Sequence, residues 1–121
     1  MARILIAEDD PISRKVCYSL VEKMGHIPLA SPDGKHAYQT LISDNCIDLL
    51  ITDIMMPEMD GRALIKTIRG NSNLAKLPVI IMSAVVGLSD IEDLLKLGAD
   101  LFLPKPIDCN VISEYLVRCL K

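Results

Sequence analysis

The stretch "CIDLLITDIMMPEMDG", residues 46–61, decides how the whole chain reads. Its apolar run, Ile47 to Ile51, reads as a strand covered on both faces. The run ends on a lone carboxylate, Asp53, and turn formers follow at once: Pro57, then the pair Asp60-Gly61, which opens a helical pattern. Strand, acid, turn and helix thus succeed one another within a few residues. Core packing gives no reason for an acid at that point.

The same unit recurs on either side. Runs of aliphatics at 3–7 ("RILIA"), 27–30 ("IPLA"), 48–52 ("DLLIT"), 78–83 ("PVIIMS") and 100–103 ("DLFL") predict five strands. Helical patterns lie between them. The first is capped by Asp10, carries Pro11 at its first position, shows the stripe Ile12, Val16, Leu20 and Met24, and stops at Gly25. The second starts near Ser31-Pro32 and ends by Ser43; the third spans Asp60-Gly61 to Gly70; the fourth runs from Ser89 to Leu97, before Gly98; the fifth begins at Asp108. Five strands alternating with five helices predict an α/β fold, a doubly wound parallel sheet in one domain over residues 1–121.

Composition narrows the function. The 121 residues are half hydrophobic, enough for a substantial core, and carry a net charge of −3. With no Trp, one Phe and three Tyr, neither a basic face nor an aromatic platform for nucleic acid is expected. "MARILIAEDD" turns acidic too early for a secretory signal. The longest uncharged stretch, Leu77 to Ser89, falls short of the roughly 20 residues that span a bilayer. Cys17, Cys46, Cys109 and Cys119 form no CxxC pair, so four reduced, mostly buried thiols of a cytoplasmic protein are expected. His26 and His36 lack partners at metal-ligand spacing and read as packing or surface residues.

In such sheets ligands bind beyond the carboxyl ends of the strands. Glu8, Asp9 and Asp10 follow the first run, Asp53 the third, Ser83 closes the fourth, and Lys105 follows the fifth between Pro104 and Pro106. Each has a structural reading by itself: Asp10 caps a helix, and Ser83 is an ordinary satisfied hydroxyl. Their joint placement at one edge points to a site. Carboxylates about 5 Å apart repel by roughly 3 kcal/mol at an effective dielectric near 20, so a cluster calls for a cation. Oxygen ligands without His or Cys favour Mg²⁺. An aspartate beside the metal is a possible phosphoryl acceptor, with lysine and hydroxyl serving the other phosphate oxygens.

"ILIAEDDP", "DLLITDIMMPEMDG", "PVIIMSA" and "GADLFLPKPI" together resemble the receiver domain of two-component response regulators, in order and across essentially the whole chain. The resemblance implies the flavodoxin-like, receiver-type sheet. It implies that Asp53 takes a phosphoryl group from a sensor histidine kinase or a histidine phosphotransfer protein. Asp9 would bind Mg²⁺ directly, Glu8 mostly through water, and Met55 through its backbone carbonyl. Ser83 would hydrogen-bond the phosphoryl group, Lys105 would pair with Asp53, and the Lys105–Pro106 bond would be cis. Phe102 takes the place of the switch aromatic. A downstream protein target, a covalently linked output domain or a homodimer would read the signal from the face of the fourth helix, fifth strand and fifth helix. The chain would then be a stand-alone receiver or a piece of a longer protein, catalysing only its own phosphorylation and dephosphorylation.

Alternatives remain open at this point. An aspartate-based phosphatase usually carries a second acid two residues after its nucleophile, where this chain has Met55. A non-phosphorylated binding module would not need the complete acid, hydroxyl and lysine set. A nucleotide binder would need a Gly-rich phosphate loop, and none is present. Met55 and Val85, two residues after Asp53 and Ser83, carry no acid or amide to align water, which predicts slow hydrolysis of an aspartyl phosphate.

Overall fold

The computed structural model describes residues 1–84 and 87–120. Five strands, β1 (Arg3–Ala7), β2 (Ile27–Ser31), β3 (Leu49–Asp53), β4 (Val79–Ser83) and β5 (Leu101–Pro104), form one sheet in the order β2-β1-β3-β4-β5. All neighbouring pairs are parallel. Five helices alternate with them: α1 (Pro11–Lys23), α2 (Gly34–Ser43), α3 (Gly61–Arg69), α4 (Leu88–Leu97) and α5 (Cys109–Cys119). The doubly wound parallel sheet expected from the sequence is the observed architecture.

Side-chain alternation along the strands sorts the core into two layers. Leu5, Leu50, Val79 and Ile81 pack with Ala37 and Leu41 of α2, Leu64, Ile65 and Ile68 of α3, and Leu94 of α4. On the other face, Ile4, Ile6, Leu49, Ile51, Ile80 and Met82 meet Cys17 and Val21 of α1 and Ile112 and Leu116 of α5. Because the three central strands, β1, β3 and β4, have buried residues on both faces, uninterrupted aliphatic runs are what they require.

Four helices open on an aspartate cap: Asp10 accepts from the Ser13 amide, Asp33 from His36, Asp60 from Ala63, and Asp108 from Asn110 and Val111. Such caps typically contribute about 1 kcal/mol each. They also explain one departure from expectation. α2 starts at Gly34, after the Asp33 cap, and Ser31 instead closes β2, where its buried hydroxyl bonds Nδ1 of His36 at 2.8 Å.

A second departure concerns α1. The stripe Ile12–Val16–Leu20–Met24 does not supply the buried face: Ile12 and Val16 are exposed, Leu20 and Met24 pack only partly against the core, and Cys17 and Val21 are fully buried. The ridge that carries Cys17 and Val21 faces the sheet instead. The thiols are also less buried than expected. Cys17 lies in the core, but Cys46, in the α2–β3 connection, and Cys109, in the first turn of α5, are exposed.

Away from the acids, Arg69 ends α3 as a staple. Its guanidinium donates to the carbonyls of Leu77 (2.7 Å), Ala75 (3.2 Å) and Gly98 (2.7 Å) and pairs with Asp100 (3.1 Å). Two connections, α3–β4 and α4–β5, are thereby tied together at the amino edge of the sheet. No helix among the described residues is long and apolar enough to cross a membrane.

Candidate functional site

The strand order places β1 beside β3, where the chain's direction of winding reverses, and crevices form at such points beyond the strand carboxyl ends. Glu8 and Asp9 leave β1 there and Asp53 ends β3. One carboxylate oxygen from each of the three lies within 4.8 Å of the others. Glu8 and Asp53 are buried, whereas Asp9 is exposed at the mouth.

Lys105 enters from the end of β5. Its ammonium lies 2.7 Å from Oδ2 of Asp53 and also donates to Oε1 of Glu8. The backbone amide of Lys105 donates to the Ser83 carbonyl at 2.9 Å, so the lysine's backbone is held at the end of β4, and its side chain reaches past that strand to β3. The Lys105–Pro106 peptide is cis, as expected. Ser83 ends β4 opposite Pro104, and Phe102 pairs with Ile81, half-buried against the first core layer.

Burial pushes the Glu8 carboxyl up to about 7, with the neighbouring Asp53 adding to the rise and Lys105 opposing it. Burial alone would lower the Lys105 ammonium, but its hydrogen bonds to Asp53 and Glu8 outweigh this and raise it. Three carboxylates facing one ammonium leave an excess of negative charge once Glu8 ionises. The donor set, with carboxylate oxygens and neither His nor Cys among the described cluster, fits a hard divalent cation such as Mg²⁺.

The loop after Asp53 is tightly folded. Oδ1 of Asp53 accepts from the Ile54 amide at 2.6 Å, and the Thr52 hydroxyl donates to the Asp53 carbonyl at 2.9 Å. The Gly61 amide closes the loop onto the Ile54 carbonyl at 2.7 Å. A Cβ at Gly61 would run into the Asp53 carbonyl and stand 2.9 Å from Cα of Ile54, so only glycine lets α3 begin this close to the acid. Glu58, with φ of 67°, makes the reversal in between. Met56 and Met59 pack half-buried beneath the loop, as gap-filling side chains do, while Met55 is 75% exposed. Val85 lies outside the described residues.

Sequence reasoning missed Arg14. Its Nη1 donates to the Glu8 carbonyl at 2.9 Å and reaches the Asp9 carbonyl at 3.5 Å. Both partners are backbone atoms, which leave no residue-type pattern to read.

The model of the response regulator receiver domain matches residues 4–117, and the chain belongs to that family. It is similar to a gliding motility regulatory protein of Myxococcus xanthus, 36% identical over 117 residues that cover 96% of this chain but 15% of that protein. A two-component response regulator of Oryza sativa subsp. indica is 33% identical, covering 97% of this chain and 80% of the relative. Among solved structures, the receiver domain of a sensor histidine kinase from Pseudomonas aeruginosa PAO1 superposes with a TM-score of 0.90 at 25% identity, covering 98% of this chain and 97% of that one. In that relative a magnesium ion is coordinated in the active site cleft.

Proposed function

We propose that this chain, as one receiver domain over residues 1–121, is a phosphoacceptor switch in which Asp53 takes the phosphoryl group. The observation that carries this reading is the convergence of Lys105, Glu8 and Asp53 beside an exposed Asp9. Asp9, Asp53, the Met55 carbonyl and, through water, Glu8 would hold Mg²⁺. Bound there, the ion would neutralise charge on the transferring phosphoryl oxygens.

In the transfer, one carboxylate oxygen of Asp53 attacks phosphorus in line with the leaving group. The new O–P bond forms as the donor's N–P or O–P bond breaks, and the donor keeps the electron pair and takes up a proton. Lys105, already 2.7 Å from Asp53, would then pair with the phosphoryl oxygens. Ser83, at the end of the adjacent strand, would donate its hydroxyl to them. The chain would catalyse only its own phosphorylation and dephosphorylation.

The donor is a histidine kinase or a histidine phosphotransfer protein of the cytoplasm. Exposed Ile12 and Val16 border Lys105, Pro106 and Ile107, which gives a protein donor an apolar foothold next to the acid. The output face is α4, β5 and α5, where Leu95 of α4 is exposed and Phe102 of β5 is half-buried. Capture of the phosphoryl group by Ser83 would bias two packings of that surface toward one, and a target, a linked output domain or a second copy would bind it.

Intact-mass measurement after incubation with Mg²⁺ and a small-molecule phosphodonor tests the assignment. Wild type should gain a single phosphoryl adduct and Asp53→Asn none. An equal adduct on Asp53→Asn refutes it. On phosphorylation, amide chemical shifts should move in α4, β5 and α5, and changes confined to α1 would refute the output face.

A further inference from the structure

We infer that Arg14 is a positioning residue for the cation, acting through the backbone of the β1–α1 turn; this deepens the reading of Glu8, Asp9 and Asp53 as a divalent-metal site and rests on it. Arg14 lies one turn into α1, where its amide bonds the Asp10 carbonyl at 2.9 Å as an ordinary helical bond. Its side chain folds back over the turn. Nη1 donates to the Glu8 carbonyl at 2.9 Å and to the Asp9 carbonyl at 3.5 Å.

The rest of the turn is also pinned. The Glu8 amide donates to the Ser31 carbonyl at 3.0 Å, the Asp10 amide faces Oε2 of Glu8 at 3.4 Å, and Asp10 caps the Ser13 amide at 2.9 Å. Asp9 alone has an exposed side chain in the acid cluster. Its carboxylate is aimed by the two peptide planes on either side of it. Those planes are the ones whose carbonyls the guanidinium holds.

Two effects of Arg14 on a bound cation oppose each other. Its charge repels the ion, weakly, because the side chain is half-exposed to water. Its hydrogen bonds keep Asp9 in the coordinating orientation, so that no ordering of the turn is needed when the ion arrives. If charge dominated, removing the guanidinium would tighten binding. If positioning dominates, removal weakens it, by roughly fivefold, the net worth of one ordinary hydrogen bond, since water screens the half-exposed guanidinium.

Mn²⁺, followed by the electron paramagnetic resonance signal of the free ion, is the probe. Arg14→Met keeps the aliphatic stem and removes the donor; Arg14→Lys keeps a donor and the charge. Expected are a dissociation constant raised roughly fivefold in Arg14→Met and a value near wild type in Arg14→Lys. Binding by Arg14→Met as tight as wild type, or tighter, overturns the proposal. Should Arg14→Met fail to melt cooperatively, Arg14→Ala is judged by the same criterion. Asp9→Asn separates the two layers of inference: if it binds Mn²⁺ as wild type does, the metal assignment itself fails, whereas loss of binding there with unchanged binding in Arg14→Met refutes only the role of Arg14.

Discussion

The Lys105 ammonium stands 2.7 Å from Asp53 although the two residues end strands that are not neighbours, with β4 between them. The lysine reaches over the end of β4 and, in doing so, also donates to Glu8 on β1. One cation thus spans the carboxyl ends of the three central sheet positions. Truncation to methionine would leave two buried carboxylates facing each other without compensation.

Glu8 makes this arrangement sensitive to pH. Its carboxyl is raised from 4.5 to about 7 in the folded state, so between those values the native protein holds a proton that the unfolded chain has released. The native state binds more protons, and the contribution of Glu8 to stability falls as pH rises through this window. The loss is at most roughly 3 kcal/mol. Urea denaturation at pH 5, 6, 7 and 8, with metal chelated, should show the decline, and Glu8→Gln should flatten it. A stability curve for Glu8→Gln that parallels wild type would contradict the assignment.

Gly61→Ala tests the close approach of α3 to the strand that ends on Asp53. The added methyl meets the Asp53 carbonyl and Cα of Ile54, both backbone, so neither yields without moving the loop. Destabilisation of about 1–3 kcal/mol is expected from such overpacking, together with slower phosphorylation, because the Asp53 backbone must shift. Gly70→Ala, where an added Cβ lies 3.5 Å from its nearest neighbour, is the control and should cost far less.

The thiols should fall into two reactivity classes. Cys17 is inaccessible, and burial pushes its thiol up to about 12, with Glu8 adding to the rise; it stays protonated at pH 8. Cys46 and Cys109 are exposed. A disulfide reagent at pH 8 should label Cys46 and Cys109 promptly and Cys17 only at the rate of unfolding. Prompt labelling of Cys17 in the native protein would show that α1 opens locally.

Met55 bears on how long the phosphorylated state persists. Its side chain is 75% exposed in the loop that follows Asp53 and carries no group to align a hydrolytic water. Met55→Asn should shorten the lifetime of the phosphorylated protein, followed by intact mass after the donor is removed. A lifetime equal to or longer than that of wild type would dismiss a role for this position.

Much of this was readable before any coordinates. Asp10, Asp60 and Asp108 cap helices where a carboxylate beside a proline, a glycine or a helical run said they would, because capping is decided within four residues. The convergence of Glu8, Asp53 and Lys105 followed from parallel topology alone, since every strand end in such a sheet points to the same edge. What escaped was set by distant backbone. The hydrogen bonds of Arg14 to the Glu8 carbonyl and of Arg69 to the Leu77 and Gly98 carbonyls depend on connections meeting in space. Carbonyl acceptors are the same at every position, so no spacing of residue types announces them. Ser31 misled for a related reason: it has the chemistry of a cap, but Asp33 holds that role and its hydroxyl serves His36.

Lys105 and Glu8, joined in the site, lie 97 residues apart in the chain. A nascent polypeptide that has emerged through β4 already displays Asp9, Asp53 and Ser83, yet it lacks the ammonium that completes them. The charge balance of the acid cluster therefore arrives with the last strand, when β5 joins the sheet. A fragment ending at β4, however well its first strands pair, would hold Glu8 and Asp53 with no ammonium between them.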